Sequence, residues 1–373
     1  MQQVRLQEVS QDEVGRVPRT VEVELTLDTC DTCMPGDVVT VCGVVKVVAD
    51  EASARNRASG ASTSVYLLYL SALSLSSNRS RGARTSKIGI DLTYTDYAAI
   101  QEIHGYGDQI FKLLVNSLCP SIFGQNVVKA ALLLGLFGGT KRKTTENFAV
   151  RGDPHILIVG DPGMGKSQIL SAVAATAPRG VFVTGNTSTT SGLTVTLSKE
   201  AGGETSLEAG ALVLADQGCC CIDEFDKMTN QHQALLEAME QQSISIAKAG
   251  MVCSLPARSA ILAAANPVGG HYNRAKTVSE NLKLNPALLS RFDLVFILID
   301  KPDSVIDSLL SGLIVSVDVE SNDKSLKYRL QHQPGDIAED FLPTSILRKY
   351  IAYARKYVFP KLTPPACAVL QVR

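Results

Sequence analysis

One stretch restricts what this chain can fold into more than any other: His155-Ile-Leu-Ile-Val-Gly-Asp-Pro-Gly-Met-Gly-Lys-Ser167. The apolar run Ile156 to Val159 meets a glycine-rich turn, and a helix-like segment runs from Gln168 to Thr176. Strand, loop and helix therefore follow one another around the spacing G-x-x-x-x-G-K-S, from Gly160 to Ser167. Glycines let successive backbone N–H groups turn inward around a polyphosphate, and the helix N-terminus adds partial positive charge. Lys166 is placed to reach the β- and γ-phosphates, and the Ser167 hydroxyl to ligate Mg²⁺. The stretch predicts a nucleoside triphosphate held by Gly160, Asp161, Pro162, Gly163, Met164, Gly165, Lys166, Ser167 and Gln168. A buried-type strand before the loop and a helix after it weigh against an incidental glycine-rich turn.

With 373 residues the chain has room for two domains, or for three small ones. Hydrophobic residues at 45% and charged residues at 20% fit an ordinary globular protein. A formal net charge of -1 means that any nucleic-acid contact must come from local basic clusters. No run has the length and apolarity of a membrane span, and Met1-Gln-Gln-Val-Arg5 is not a signal peptide. Nine cysteines, three of them adjacent at Cys219 to Cys221, point to a reducing compartment rather than a disulfide framework. Cys30 and Cys33 have metal-type spacing, but two ligands do not close a structural zinc site.

The N-terminal third reads as short strands. Val21, Val23, Leu25 and Leu27 alternate with polar residues, and Val38 to Val48 and Val65 to Leu75 are apolar runs. A partial, OB-like β-barrel over 1–78 is expected. Arg55 and Arg57 lie in the polar loop Ala52 to Ser64, which is either a solvated loop or a hairpin touching a phosphate backbone. A basic linker is expected over 79–93, read more simply as a solvated tether than as a DNA contact.

From residue 94 the pattern becomes α/β. Asp96 to Leu118 and Gln125 to Phe137 look helical, separated by the turn Pro120 to Gly124. After the phosphate loop come a strand at Val181 to Val183, a Ser/Thr/Gly-rich insertion over Thr187 to Leu207, and the apolar run Ala211 to Ala215. A further strand ends in Ile222-Asp223-Glu224. An apolar strand ending in two carboxylates is the partner a phosphate loop requires: Asp223 for Mg²⁺ and Glu224 for the attacking water. His232 to Gln241 predicts a helix. Ser243 to Ile246 and Met251 to Leu255 predict a hairpin with Lys248 at its tip, by itself a solubilising residue. Asn266 ends a buried-type strand and is placed to hold the nucleophilic water. Arg291, before the strand Leu294 to Ile299, is a candidate arginine finger; alone it would read as a structural ion pair, and its place after the other three elements reverses that. A last helical stretch spans Leu342 to Val358.

These elements, in this order, resemble an AAA+ ATPase. More narrowly, Gly218 to Met228, Leu207 to Leu212, Ala263 to Pro267 and Leu289 to Asp293 resemble the minichromosome maintenance (MCM) family of hexameric DNA helicases. Asn266 to Asn273 and Ala275 to Leu282 look most like one particular member of it. The resemblance implies an α/β AAA+ P-loop NTPase core over 94–330, with a parallel sheet and helices on both faces. It also implies the start of a helical lid over 331–373 and a chain truncated at both ends relative to the family. Gly160 to Ser167 would be the Walker A loop, Asp223 and Glu224 Walker B, Asn266 sensor one, and Arg291 a finger supplied in trans. Lys248 would grip single-stranded DNA, Arg55 and Arg57 would contact DNA, and Ile122 and Phe123 would pack on the adenine. The implied activity is that of an ATP- and Mg²⁺-dependent 3′-to-5′ helicase subunit acting in recombinational repair and in replication. Its ring would be completed by a paralogue or by further copies of itself, in the nucleus. One other reading stays open, an ATP- and DNA-binding subunit or shortened form that is no motor; a third, an AAA+ remodeller acting on protein, lacks support because the Lys248 hairpin and the barrel fit nucleic acid better.

Overall fold

The computed structural model describes residues 1–9, 18–49, 66–77, 92–122, 124–140, 142–143, 149–199, 205–228, 231–248, 251–282, 284–300, 341–361 and 363–371. Arg55, Arg57, Phe123 and most of the expected linker lie outside the described residues. The chain divides into two units, Met1–Gly89 and Ile90–Arg373.

In the first unit, β1 (Gln2–Gln7), β2 (Thr20–Leu25), β3 (Val39–Ala49) and β4 (Tyr66–Ser77) form one sheet in the order β1-β2-β4-β3. β1 and β2 are antiparallel, β2 and β4 parallel, and β3 and β4 antiparallel. Alternation along β2 buries Val23 and Leu25, which meet Ala72 of β4. Cys30 and Cys33 pack against this cluster as small apolar residues, and the Cys30 thiol donates to the Leu25 carbonyl at 3.5 Å. A register shift between Cys42 and Gly43 brings the backbones of β3 and β4 very close. A Cβ at Gly43 would stand 2.4 Å from the Ser71 carbonyl oxygen, so glycine is required there.

The second unit begins with α1 (Tyr94–His104), α2 (Ile110–Leu118) and α3 (Asn126–Phe137). The helical run expected from Asp96 to Leu118 is in fact two helices, divided at Gly105–Gly107, where Gly107 has φ +58°. Two-residue strands β5 (Arg142–Lys143) and β6 (Ala149–Val150) pair before β7 (Ile156–Gly160). Next come α4 (Lys166–Thr176), β8 (Gly180–Thr184), α5 (Thr190–Leu193) and the antiparallel hairpin β9 (Val195–Lys199) and β10 (Thr205–Ala209). The Ser/Thr/Gly-rich insertion is therefore a short helix and a hairpin. The run Ala211 to Ala215, also apolar, forms α6 (Ala211–Leu214), and β11 (Cys219–Asp223) and α7 (His232–Gln241) follow. The hairpin β12 (Ser243–Lys248) and β13 (Met251–Pro256) leads to β14 (Ala260–Ala265), α8 (Val278–Leu282), α9 (Pro286–Leu289) and β15 (Leu294–Leu298). α10 (Thr344–Tyr357) and α11 (Pro364–Gln371) are the last elements.

Five of these strands form a parallel sheet in the order β15-β7-β14-β11-β8. The central strands β7, β14 and β11 are apolar as far as Asp223 at the end of β11, because both faces are covered. Leu157 and Val159 of β7 enter one core, and Ile156 and Ile158 enter the other. The cysteine run is divided the same way: Cys220 joins the first core, Cys219 and Cys221 the second. The first core is closed by α5 to α9 and the β12–β13 hairpin, the second by α2, α3, α4 and α10. Leu347 and Ile351 seat α10 in that second core. Arg355 lies 3.4 Å from the buried Asp153, and Arg348 donates to the Ala175 carbonyl near the end of α4. Among the described residues no helix is long and apolar enough to cross a membrane.

Candidate nucleotide-binding site

β7, β11 and β14 run side by side, so their C-terminal ends deliver the predicted residues to one edge of the sheet. β7 ends at Gly160 and opens into the phosphate loop. β11 ends at Asp223, and Asn266 follows β14 directly. In an open parallel sheet this is the edge where ligands bind. The loop takes its shape from Gly163 and Gly165, at φ +86° and +73°. Gly160 has another role: a Cβ there would lie 2.7 Å from the Leu298 Cβ on the neighbouring β15.

Lys166 begins α4 and is buried. Its ammonium donates to the carbonyls of Gly160 at 2.8 Å and Asp161 at 2.7 Å, within its own loop. Burial pushes its pKa down, while the carboxylates of Asp223, Asp161 and Asp226 pull it back up. A triphosphate would exchange those neutral carbonyl acceptors for charged oxygens, the stronger kind of hydrogen bond. Ser167 and Gln168 are exposed beside it, at the start of an 11-residue helix whose first N–H groups have no partner within the helix.

Across the sheet edge, Asp223 Oδ1 accepts from the Glu224 N–H at 2.9 Å. Glu224 itself is left-handed, φ 52°, as the chain turns sharply out of β11. Glycine at 185 permits that turn, because a Cβ there would lie 2.4 Å from the Glu224 carbonyl oxygen. Asp226 then reaches over to β14, its Oδ1 accepting from the Asn266 N–H at 3.1 Å. Pro162, Asp226, His232, Asn266 and Pro267 are among the residues lining a cleft of about 520 Å³. Ile122 lies on the phosphate loop, its Cδ1 only 2.8 Å from where a Gly165 Cβ would be, and Gln125 Nε2 donates to the Met164 carbonyl at 3.3 Å. The turn expected to pack on a base therefore touches the loop expected to hold the phosphates.

Two predicted residues stand apart from this cluster. Lys248 occupies the last paired position of the β12–β13 hairpin, opposite Met251. Arg291 precedes β15, whose Leu294 aligns with Ile156 and Leu298 with Gly160. It thus sits at the opposite end of the sheet from its own phosphate loop, about 15 Å away at the ordinary rise of a strand. There Arg291 pairs with Glu240 at 2.8 Å, both half-exposed.

The turn bearing Arg291 is tied to the base of β7 by contacts that no local pattern in the sequence announces. Asp293 Oδ2 accepts from the His155 N–H at 2.8 Å, and its Oδ1 pairs with Arg151 at 2.8 Å. Arg151 also donates to the Arg291 carbonyl at 3.2 Å. His155 is buried, and its Nδ1 accepts from the Ile261 N–H at 3.0 Å. Burial first, and the Arg151 charge second, push its pKa down to about 4. The unfolded chain therefore binds more protons between about pH 6.5 and 4, so stability falls as pH falls through that window. The shift corresponds to a contribution on the order of 3 kcal/mol that is present above pH 6.5. Asparagine at 155 offers an amide oxygen to the same N–H without titrating. Urea midpoints at pH 7.5 and pH 5 should accordingly lie closer together in His155→Asn than in the parent chain; an equal drop in both would remove His155 as the cause.

Residues 96–318 match the family described as MCM P-loop domain, and residues 1–49 match MCM OB domain. The chain is similar to DNA helicase MCM8 of Homo sapiens, 52% identical over 99% of this chain and 48% of that protein. DNA helicase MCM8 of Xenopus tropicalis is 51% identical over 99% and 48%. Probable DNA helicase MCM8 of Arabidopsis thaliana is 45% identical over 99% and 52%. The chain spans about half the length of the curated relatives it matches.

Proposed function

Because the chain belongs to the MCM family, we propose that it works as an ATP-hydrolysing subunit of a ring-forming DNA helicase, moving 3′ to 5′. The observation that carries this reading is the division of the site between the two ends of one sheet. The phosphate loop, Asp223, Glu224 and Asn266 share one end, and Arg291 stands at the other. An arginine so placed completes an ATP site only across a subunit boundary, which a closed ring supplies at every interface.

In that reading Lys166 and the loop N–H groups neutralise the β- and γ-phosphates. Glu224 orients and activates the attacking water, and Asn266 holds it in line with the γ-phosphate. The Ser167 hydroxyl and the Asp223 carboxylate are hard oxygen donors of the kind Mg²⁺ takes, and they would hold it; bound there, the ion supplies charge neutralisation on the phosphates. Arg291 of a neighbouring subunit stabilises the charge that builds up on transfer. Ile122 and Phe123 would pack on the adenine. The hairpin ending at Lys248 would project toward single-stranded DNA, with Arg55 and Arg57 as further phosphate contacts. We further propose that it acts in homologous-recombination repair of double-strand breaks, and in replication, in the nucleus. The ring would be completed by the paralogue minichromosome maintenance protein nine or by copies of this chain.

ATP turnover measured with and without single-stranded DNA tests the reading. It should rise on adding DNA, and DNA binding should weaken steeply with salt because phosphate contacts release counterions. Turnover indifferent to DNA would sink the helicase reading, and nucleotide binding without any turnover would leave a non-motor assembly subunit.

A further inference from the structure

Between Asn266 and α8 the chain makes a loop that no catalytic assignment uses, yet many hydrogen bonds pin it beside the cleft. Its hub is Asn281, a buried side chain on α8. The Asn281 carboxamide oxygen accepts from the Asn273 N–H at 3.1 Å. Its amide donates to the carbonyls of Asn273 at 2.9 Å, Lys276 at 3.2 Å and Thr277 at 3.0 Å. The Asn281 backbone carbonyl takes the Val268 N–H at 2.8 Å, so one residue fixes both limbs of the loop. At the far turn Gly269 and Gly270 are both left-handed, φ +90° and +87°, which residues with a side chain rarely adopt.

What this shape achieves lies at its two ends. At one end Asn266 is held to Asp226 through its own N–H at 3.1 Å. At the other, the Tyr272 N–H is delivered to Oδ1 of Asp161 in the phosphate loop, at 2.9 Å. Asp161 is buried, and that hydrogen bond is the first cause of its lowered pKa. A continuous set of contacts thus runs from the phosphate loop through Asp161, Tyr272, Asn273, Asn281 and Val268 back to the strand-end asparagine. Van der Waals packing alone would let a glycine-containing loop shift by an ångström, whereas directional hydrogen bonds to a buried amide do not. A shift of that size is enough to spoil in-line attack.

We propose that Asn281 is a positioning residue: it shapes the 267–277 loop so that Asn266 is held at a fixed distance from the phosphate loop. The inference rests on the ATP-hydrolysing reading above and deepens it. Asn281→Ala should lower kcat for ATP about tenfold or more and change the Kd for a non-hydrolysable ATP analogue less than threefold. In a double-mutant cycle with Asn266→Ala the two losses should not multiply, because Asn281 acts through Asn266. Hydrogen exchange on the same proteins reads the loop without reference to catalysis. The Tyr272 and Asn273 amides should be protected in the parent chain and exchange at least tenfold faster in the variant. Asn281→Asp, which keeps the acceptor and volume but loses the amide donors, serves if the alanine variant does not fold; it should show the same faster exchange and lowered kcat. Multiplicative losses, or unchanged exchange at Tyr272 in the folded variants, overturn the proposal. Altered exchange in a chain whose parent form never turns over ATP would retain Asn281 as the loop's hub and instead refute the ATP-hydrolysing role.

Discussion

Replacing Lys166 with alanine is expected to lower ATP turnover at least about a hundredfold, the scale of removing one directed charge from a transition state. The structure adds a reason specific to this loop. Lys166 is the buried cation that the carboxylates of Asp161, Asp223 and Asp226 face, and without it an incoming triphosphate meets their negative charge unopposed. Nucleotide affinity should therefore fall together with turnover. The Gly160 and Asp161 carbonyls, both buried, also lose their donor, so the thermal midpoint should fall as well. Steady-state turnover, a thermal melt and titration with a fluorescent ATP analogue check all three. A Lys166→Ala chain that binds and hydrolyses ATP as the parent does would mean that Gly160 to Ser167 is not the triphosphate cradle.

Arg291→Ala should have an effect as large, roughly a thousandfold on turnover, while leaving ATP binding within a few-fold of the parent. The residue lies too far along the sheet from its own phosphate loop to touch a nucleotide bound there. Its exposed ion pair with Glu240 contributes at most about 1 kcal/mol, so the variant should melt close to the parent. Mixing supplies the decisive arm. Lys166→Ala and Arg291→Ala chains, each inactive alone, should regain measurable turnover together. An interface that joins the intact loop of one to the intact arginine of the other is complete. No recovery in a mixture shown to assemble would remove the role in trans.

The local pattern was enough for the elements that are made locally. Helix His232 to Gln241 and the strands around residues 181, 261 and 295 stand where periodicity put them. A strand buried on both faces and a helix joined by a glycine turn leave the chain few alternatives. The misreading is also local in origin. The apolar spacing of Ile103, Ile110, Leu113 and Leu114 reads through Gly105 and Gly107, but a residue at φ +58° cannot continue a helix. Likewise, Ala211 to Ala215 carries no sign of strand or helix strong enough to decide it, and packing against the first core makes it a helix.

By itself the sequence determined the strand, glycine-rich turn and helix around Gly160 to Ser167, the strand ending in Asp223-Glu224, the strand ending before Asn266, and the family. Each is written in a few contiguous residues whose chemistry depends on their spacing. Only the tertiary structure decided how these pieces are held relative to one another. Asp226 to Asn266 spans 40 positions, Asp161 to Tyr272 spans 111, and His155 to Asp293 spans 138. A parallel sheet puts chain segments far apart in sequence side by side, and a hydrogen bond between them leaves no periodic trace in either. Asn281 shows the same point on a smaller scale. A buried asparagine at the end of a short helix is unremarkable as a letter, and it becomes a hub only because the loop returning to it brings three carbonyls and an N–H within reach of one amide.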